Sequence, residues 1–427
     1  MVLITAFIVL VFLYSLVSKR LERTVVTAPI LFTVAGAFTM LLPPALSELA
    51  IDRPTFLLIA ELGLVMTLFT DASRINLVSL RGSRGLRIRL LSTGMLLTIL
   101  LGAVTAMVLF GGLSWQEAGI LGAILAPTDA GLGQVIVNSQ RVPPRIREAL
   151  NFEAGLNDGL SVPFLMCFIA LAMVENQGTG AASVLARFLG EQLGYGTLIG
   201  LGAGLAGGAL LGLARRKEWM APPLTQLGVV AIPLLCVMAS EATHASMFIA
   251  AFVAGLVTQI GFRHVGRHSV EFTEDWGQLL NFFVFFLFGL FVARSWTAFT
   301  LPMLLYALAS LTVVRMLPVA LALRGTGLSR SSVLFIGWFG PRGLASIVLG
   351  LVYLEQQVSL PGEDTIRLTI MLTVLLSILV HGLSALPGIK LYARRVAALD
   401  AQAPELRGVA DALPGREGDA VDVPRTA

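Results

Sequence analysis

Stretches of about 20 apolar residues follow one another along most of this chain, with short polar loops between them. A helix of that length crosses the hydrocarbon core of a bilayer. Such windows lie near 2–18, 25–42, 55–71, 88–110, 116–137, 149–174, 187–213, 224–240, 245–262, 277–293, 299–323, 331–354 and 366–387. They predict an all-α polytopic membrane protein with about 13 transmembrane helices.

Composition excludes the soluble classes of protein. Of the 427 residues, 56% are hydrophobic and only 13% are charged, whereas about 25% of the residues in a soluble domain are charged. A chain of this kind could not cover its surface in water, so it is neither a soluble enzyme nor a disordered chain. Cys167 and Cys236 lie in apolar runs, and we expect no disulfide. The lipid bilayer is the first predicted partner.

Basic residues concentrate in the loops that follow the odd-numbered windows. The other loops hold single arginines, namely Arg53, Arg187, Arg294 and Arg367. The positive-inside rule then predicts an N-terminus outside the cell and a cytoplasmic C-terminus. The scarcity of lysine and the short polar end favour a bacterial inner membrane. Because the net charge of +4 is explained by topology, we expect no nucleic-acid partner.

Proline and glycine interrupt two windows at their centres, the fifth at Pro127-Thr128-Asp129 and the twelfth at Gly340-Pro-Arg342-Gly343. Each interruption frees backbone groups at mid-membrane depth, which is tolerated only beside protein or water. The two breaks lie at matching positions, each in the fifth helix of one half of the sequence. This predicts two inverted six-helix repeats, a linker helix and two broken crossing helices around a transport site. The alternative is that such residues only kink membrane helices, without function.

This pattern divides the chain into four parts. We predict a first membrane repeat over residues 1–175, a linker helix with loops over 176–222 and a second repeat over 223–390. Residues 391–427 are polar and poor in large apolar groups, which predicts a disordered cytoplasmic tail.

Charged residues at bilayer depth are costly and indicate function. Glu153 and Asp158 lie in the sixth window, and Arg315 and Arg342 lie in the second half. Pairing Glu153 with one arginine would leave Asp158 as an unpaired carboxylate, able to bind either a cation or a proton. Asp129 suits the amides of one half-helix N-terminus, and Arg342 suits the freed carbonyls of the other break. The alternative is a purely structural ion network.

These segments together resemble the monovalent cation/proton antiporter family, the sodium/proton exchangers of the bacterial NhaP type, over roughly residues 1–390. Glu153-Ala-Gly-Leu-Asn157-Asp158 matches the Glu-x-x-x-Asn-Asp signature of the family. The two breaks and Arg315 match its other motifs. The resemblance implies that Asp158 carries the cation and the proton beside Asn157. It further implies that Thr128 is a backbone ligand and that Asp158 and Thr128 hold the metal cation.

The resemblance also implies that Glu153 pairs with a membrane arginine, with Arg315 as first choice and Arg342 as the other. The Asn-Asp pair is the pattern of electroneutral exchangers, which implies one cation per proton. Family members serve pH and sodium homeostasis and are usually homodimers that move a core domain against a dimerisation domain. No cofactor is implied.

The sequence departs from the family pattern in three places. Ala154 replaces a serine, Ala130 replaces a proline, and Asp71 stands where many members have glutamate at the end of the third helix. The choice among Na⁺, K⁺ and Li⁺ therefore stays open, with Na⁺ first. Asp71 and Asp129 are further candidates for cation or proton binding, although Asp71 is equally well read as a helix-end charge beside Arg74.

Two other classes of function use parts of the same pattern. An intramembrane enzyme of the paired-aspartate type would use Asp158 and Asp129, but no motif of that chemistry is present. An ion channel would need a continuous pore, and one carboxylate between two broken helices suits alternating access better. The four histidines show no metal-ligand spacing. We therefore predict a transporter and not an enzyme.

Overall fold

The computed structural model of the protein describes residues 2–21, 24–41, 53–74, 85–177, 186, 190–262, 267–355, 360–400 and 402–406. Within these residues all regular structure is helical. The α-helices of eight residues or more are α1 Val2–Leu21, α2 Ala28–Phe38, α3 Arg53–Ser73, α4 Met95–Leu109, α5 Trp115–Ile124, α6 Ala130–Val137, α7 Pro144–Gln177, α8 Gly196–Arg216, α9 Pro222–Thr243, α10 Met247–Gly261, α11 Arg267–Arg294, α12 Leu301–Leu311, α13 Val313–Ala322, α14 Arg330–Trp338, α15 Leu344–Glu355 and α16 Glu363–Val396.

The apolar windows of the sequence correspond to these helices. In the part of the chain that the structure describes, nine helical stretches are long and apolar enough to cross a membrane. Three shorter apolar helices are Ala28–Leu41, Met247–Gly261 and Leu344–Glu355. The predicted all-α membrane fold is confirmed, while the count of 13 crossings stays a prediction.

Several helices begin at local sequence signals. Ser114 caps α5 in a capping box, in which its hydroxyl accepts from the Glu117 amide and the Glu117 carboxylate accepts from the Ser114 amide at 2.8 Å. Such a box satisfies two amides that the first turn leaves unpaired. Glu117 also accepts from the Gly362 amide at 2.7 Å. This second bond ties the start of α5 to the start of α16.

The helices pack in two groups. One group contains α2, α3, α8, α9, α10 and α11, and α1 joins it through the ring of Phe7, which lies 4.9 Å from the ring of Phe283 in α11. The other group contains α4 to α7 and α12 to α16, and α3 contacts it along α7 and α15. Each group takes helices from both sequence halves. The packing does not follow the predicted boundaries near 175 and 223, and the division of the sequence into two repeats stays a prediction.

The seventh apolar window, predicted as the linker, contains α8. Its glycines Gly200, Gly204 and Gly208 face α10, and a Cβ atom on any of them would overlap a backbone carbonyl of that helix. Small residues at four-residue spacing let two helix backbones approach this closely. Helix α8 therefore packs closely against α10.

The polar end of the chain begins as folded structure. Helix α16 continues to Val396, Glu405 is buried with 1% of its surface exposed, and Arg145 donates to the Pro404 carbonyl at 2.7 Å. The prediction of disorder from residue 391 was wrong for 391–400 and 402–406. The Glu405 carboxylate accepts hydrogen bonds from the Ser329 amide and the Ser332 hydroxyl at the start of α14, and these bonds replace its contacts with water. Residues 407–427 of the predicted tail, and 178–185 and 187–189 of the predicted linker, lie outside the described residues.

Candidate functional site

The two broken helices meet at their breaks. The first chain segment leaves α5 at Ile124 and enters α6 at Ala130, and the second leaves α14 at Trp338 and enters α15 at Leu344. The Asp129 amide donates to the Pro341 carbonyl at 2.7 Å. Backbone groups freed in one break thus bind backbone groups freed in the other, which meets the need for partners at membrane depth.

Asp129 caps two half-helices at once. Its Oδ1 accepts from the Leu132 amide of α6 at 2.8 Å, and its Oδ2 accepts from the Leu344 amide of α15 at 2.6 Å. A carboxylate at a helix N-terminus is favoured by both the free amides and the helix dipole. Gly343 leaves room for it, because a Cβ atom there would overlap Oδ2. The sequence reasoning assigned Asp129 to one N-terminus, and the structure gives it two.

Carbonyl groups of the first break face donors from the second. The Arg342 guanidinium donates to the Ala126 carbonyl and to the Pro127 carbonyl, the latter at 2.9 Å. The Ser346 hydroxyl donates to the Ile124 carbonyl at 2.8 Å. A cation beside the C-terminal end of a half-helix is the favourable counterpart of the aspartate cap.

Glu153 and Arg315 form a bidentate ion pair. Arg315 Nη1 lies 2.5 Å from Glu153 Oε1, and Nη2 lies 2.8 Å from Oε2. The side chains are 3% and 2% exposed respectively. Gly340 leaves room for the Arg315 guanidinium, since a Cβ atom at that position would overlap it. Of the two arginines considered for Glu153, Arg315 is the one in contact.

Asp158 lies next to a polar contact between α7 and the first break. Asn157 Nδ2 donates to Thr128 Oγ1 at 2.7 Å. Asp158 is 7% exposed, and its buried Oδ1, like Asn157 Oδ1, has no hydrogen-bond partner among the described residues. A buried oxygen without a donor is costly. Asp158 Oδ1 is therefore a buried acceptor whose hydrogen-bonding capacity is unused among the described residues.

A cleft reaches this region. It has room for about one water molecule, and Thr128, Asp129 and Ala154 line it together with Asn151 and Phe339. Thr128 therefore links the cleft to the Asn157 amide. Ala154 presents a methyl group to the cleft where the resembled family often has a serine hydroxyl.

Asp71 approaches the site from α3. A Cβ atom on Gly155 would lie 3.3 Å from Asp71 Cβ and 3.8 Å from its Oδ2. Gly155 and Asp158 are three residues apart on α7 and so share a side of the helix. Arg74, the helix-end neighbour considered for Asp71, forms its ion pair with Glu274. Asp71 thus lies against the helix that carries Asp158.

The buried charges at the crossing do not balance. Asp129, Glu153 and Asp158 contribute three carboxylates, and Arg315 and Arg342 contribute two guanidinium groups. Glu153 is paired with Arg315, and Asp129 accepts hydrogen bonds from the Leu132 and Leu344 amides. The charges of these five groups sum to one negative charge, and an uncompensated buried charge is costly.

Ser377 and His381 of α16 also belong to this crossing, and the sequence reasoning missed them. The Ser377 hydroxyl accepts from the Arg342 amide at 2.6 Å, and His381 Nε2 lies 2.9 Å from the Trp338 carbonyl oxygen. The spacing of the histidines in the sequence argues only against a metal site, and it gives His381 no other role. An ionisable side chain inside an apolar window was the signal that could have found it.

Comparisons with known proteins show the family of the chain. The family model for the transmembrane region of sodium/hydrogen exchangers matches residues 3–389. The chain is 27% identical over 343 residues to the K⁺/H⁺ antiporter NhaP2 of Shewanella sp. strain MR-4, covering 78% of this chain and 57% of that protein. It is 27% identical over 346 residues to the K⁺/H⁺ antiporter NhaP of Alkalimonas amylolytica, covering 80% and 58%. The chain therefore spans little more than half the length of these relatives.

A solved structure has the same fold. The sodium proton antiporter MjNhaP1 from Methanocaldococcus jannaschii at pH 8 superposes with a TM-score of 0.73 at 21% sequence identity. The superposition covers 93% of this chain and 100% of that one. The prediction of a cation/proton antiporter family fold from the sequence motifs is thereby confirmed.

Proposed function

Because the chain belongs to the sodium/hydrogen exchanger family, we propose that it is a secondary antiporter that exchanges a monovalent cation for H⁺ by alternating access. Its proposed role is pH and sodium homeostasis. Asp158 is the proposed carrier of both ions, and Thr128 and Asn157 are proposed to complete the cation site. Asp129 and Asp71 are proposed to contribute negative charge near it.

The single observation that carries the proposal is the state of the Asp158 carboxylate. Its buried Oδ1 has no hydrogen-bond partner among the residues that the structure describes, whereas Glu153 is paired with Arg315 and Asp129 is capped by two amides. A single carboxylate can bind either a cation or a proton. Once one of them has neutralised its charge, the other is no longer attracted, so the two ions compete for the site. Competition at one site couples their opposite fluxes.

The same contacts weigh against the enzyme alternative. A paired-aspartate site needs two carboxyl groups that share a proton. Both Asp129 oxygens accept from backbone amides, at 2.8 Å and 2.6 Å. Asp129 is therefore occupied as a double helix cap, and the relatives reported above are all named antiporters.

The transported cation is proposed as Na⁺ first, with K⁺ and Li⁺ as alternatives. Two relatives are named for K⁺/H⁺ exchange, and one from Zygosaccharomyces rouxii, 26% identical over 282 residues and covering 62% of this chain and 34% of that protein, is named a Na⁺/H⁺ antiporter. Ala154 offers the cleft no hydroxyl, so the proposed site has one ligand fewer than the family pattern implies, and the choice among the three ions is left to the vesicle assay below.

Membrane orientation and assembly are proposed from the charge pattern and the family. The cleft lies near Val137 and Leu150, at the end of α6 and α7 that carries Arg141 and Arg145. The positive-inside rule puts that end in the cytoplasm, so the cleft is proposed as the cytoplasmic ion path. The protein is proposed to act as a homodimer in a bacterial inner membrane.

Asp158→Asn tests the carrier assignment. In everted vesicles with a pH-sensitive dye, addition of Na⁺, K⁺ or Li⁺ should release protons with the wild-type protein and not with Asp158→Asn, because the amide holds neither a proton nor a full charge. The matched control is Asp364→Asn, at a side chain 84% exposed, which should exchange normally. Normal exchange by Asp158→Asn at equal membrane content would refute the carrier role.

A voltage test addresses the proposed 1:1 stoichiometry. One uncompensated charge per cycle would couple the equilibrium to the membrane potential by about 2.3 kcal/mol per 100 mV. With Na⁺ as the test cation, a potential imposed by valinomycin and K⁺ should leave the Na⁺/H⁺ null point of proteoliposomes unchanged. A shift of the null point with voltage would show that a second group titrates, and Asp71 would be the first to replace.

A further inference from the structure

The break between α14 and α15 separates two backbone groups that a continuous helix would join. In an α-helix the amide of residue i+4 donates to the carbonyl of residue i, which would pair the Arg342 amide with the Trp338 carbonyl. Here Phe339 is the last residue whose amide follows the helical pattern, donating to Phe335 at 3.0 Å. The Trp338 carbonyl and the Arg342 amide each need another partner.

Helix α16 supplies both partners from side chains four residues apart. The Ser377 hydroxyl accepts from the Arg342 amide at 2.6 Å. His381 Nε2 lies 2.9 Å from the Trp338 carbonyl oxygen. Residues four apart lie one above the other on the same helix face, so the pair spans the gap as the missing helical turn would.

Both imidazole nitrogens of His381 lie beside carbonyl oxygens. Nε2 is 2.9 Å from the Trp338 carbonyl oxygen, and Nδ1 is 3.0 Å from the Ser377 carbonyl oxygen and 3.2 Å from the Ser377 hydroxyl. A carbonyl only accepts, so the Trp338 contact is a hydrogen bond when Nε2 carries a hydrogen. The Ser377 hydroxyl can then donate to Nδ1, because its oxygen accepts from the Arg342 amide.

We propose that Ser377 and His381 are positioning residues of the ion site. They bind the backbone of the second break, and this places Arg342 so that its guanidinium binds the carbonyl groups of the first break. This inference rests on the proposed function. Arg342 is anchored by its amide to Ser377, and its guanidinium then reaches the Pro127 carbonyl at 2.9 Å. Thr128 follows Pro127 directly and binds Asn157, the neighbour of Asp158.

The role is distinct from ion carriage. His381 is 2% exposed, and its contacts given above are to Ser377 and to the Trp338 backbone. It acts on the site through the backbone of residues 338–342. Loss of the pair should therefore weaken cation binding more than it lowers the maximal rate.

Ser384 provides a matched control. Its hydroxyl accepts from the Trp338 indole nitrogen at 3.0 Å, one turn further along α16 than His381. Ser384→Ala thus removes a bond from the same helix to the same residue, but a bond to the side chain and not to the backbone of the break. His381→Gln is the conservative variant, because its amide group offers both a donor and an acceptor.

The experiment compares His381→Leu, His381→Gln, Ser377→Ala and Ser384→Ala by two readouts. Hydrogen–deuterium exchange of peptides covering 339–344 reports the Arg342 amide, and vesicle antiport reports the half-saturating Na⁺ concentration. Loss of one buried hydrogen bond should speed amide exchange and raise half-saturation by about fivefold each. We expect this for His381→Leu and Ser377→Ala, with substantial recovery in His381→Gln and no change in Ser384→Ala.

The inference is overturned if the variants at Ser377 and His381 keep wild-type amide exchange and half-saturation, or if Ser384→Ala changes both equally. Ser377→Ala removes a single hydroxyl and keeps the test available if His381→Leu does not accumulate in the membrane. Failure of the proposed function would look different, since the wild-type protein would then release no protons on addition of any cation.

Discussion

Glu153→Gln removes one charge of the buried pair and leaves the Arg315 guanidinium without its carboxylate. Arg315→Met leaves the Glu153 carboxylate alone in the same way, with a side chain of similar length. The pair has two contacts, at 2.5 Å and 2.8 Å, and both side chains are almost completely buried. Water is therefore excluded from the charge that each single substitution leaves behind.

The expected magnitudes follow from that burial. Removing one member of a buried pair costs about 3–5 kcal/mol of unfolding free energy, mainly because the remaining charge is uncompensated. The two single changes would sum to about 6–10 kcal/mol. Glu153→Gln with Arg315→Met leaves no charge, so the double variant should cost no more than one single change. The coupling free energy is then about 3 kcal/mol or more.

Unfolding in mixed detergent micelles, by titration with sodium dodecyl sulfate, measures this cycle. Tryptophan fluorescence is a usable signal, since the chain has 5 tryptophans. The exposed pair of Asp364 and Arg367, with side chains 84% and 39% exposed, serves as the control cycle. An exposed pair contributes about 0–1 kcal/mol, so its coupling should be small.

A coupling below about 0.5 kcal/mol between Glu153 and Arg315, at the level expected for independent sites, would refute the reasoning. It would mean that water or another donor replaces Arg315 on the carboxylate. Arg342, whose guanidinium contacts the Ala126 and Pro127 carbonyls, would be the next partner to test.

Two further predictions concern the crossing and its outer support. Gly343→Ala should lower stability by about 1–3 kcal/mol and slow exchange, since its Cβ displaces the double cap. Gly202→Ala, at an exposed glycine of α8 with open space at its Cβ, should do neither in unfolding and vesicle assays. Burial raises the pKa of Glu405, but hydrogen bonds from the Ser329 amide and the Ser332 hydroxyl outweigh it, so the pKa lies below its ordinary value of 4.5. Its stabilisation is complete at neutral pH and lost as the pH falls through the folded pKa. Glu405→Gln should therefore speed amide exchange in 329–333 at pH 7 but not in acid, and equal exchange at pH 7 would contradict this.

The helices and their breaks could be predicted because their causes are local. Apolar windows, the prolines at 127 and 341 and the neighbouring glycines act on the backbone beside them. The Glu-x-x-x-Asn-Asp motif likewise put Asn157 and Asp158 on adjacent positions of α7. The folded state of Glu405 could not be predicted in this way, because its donors Ser329 and Ser332 lie 76 and 73 residues earlier in the chain.

Sequence alone established an all-α membrane protein with two interrupted helices and an excess of buried acid, since hydrophobic length and helix breaking depend on neighbouring residues. Tertiary structure alone decided which charges meet. Arg315 reaches Glu153 across 162 residues, and Asp129 caps Leu344 across 215. Tertiary structure also brought Ser377 and His381 to the second break, and it drew each packing group from both halves of the sequence. The physical reason is that burial makes every charge and every freed backbone group find a partner, while the fold decides which partners come within reach.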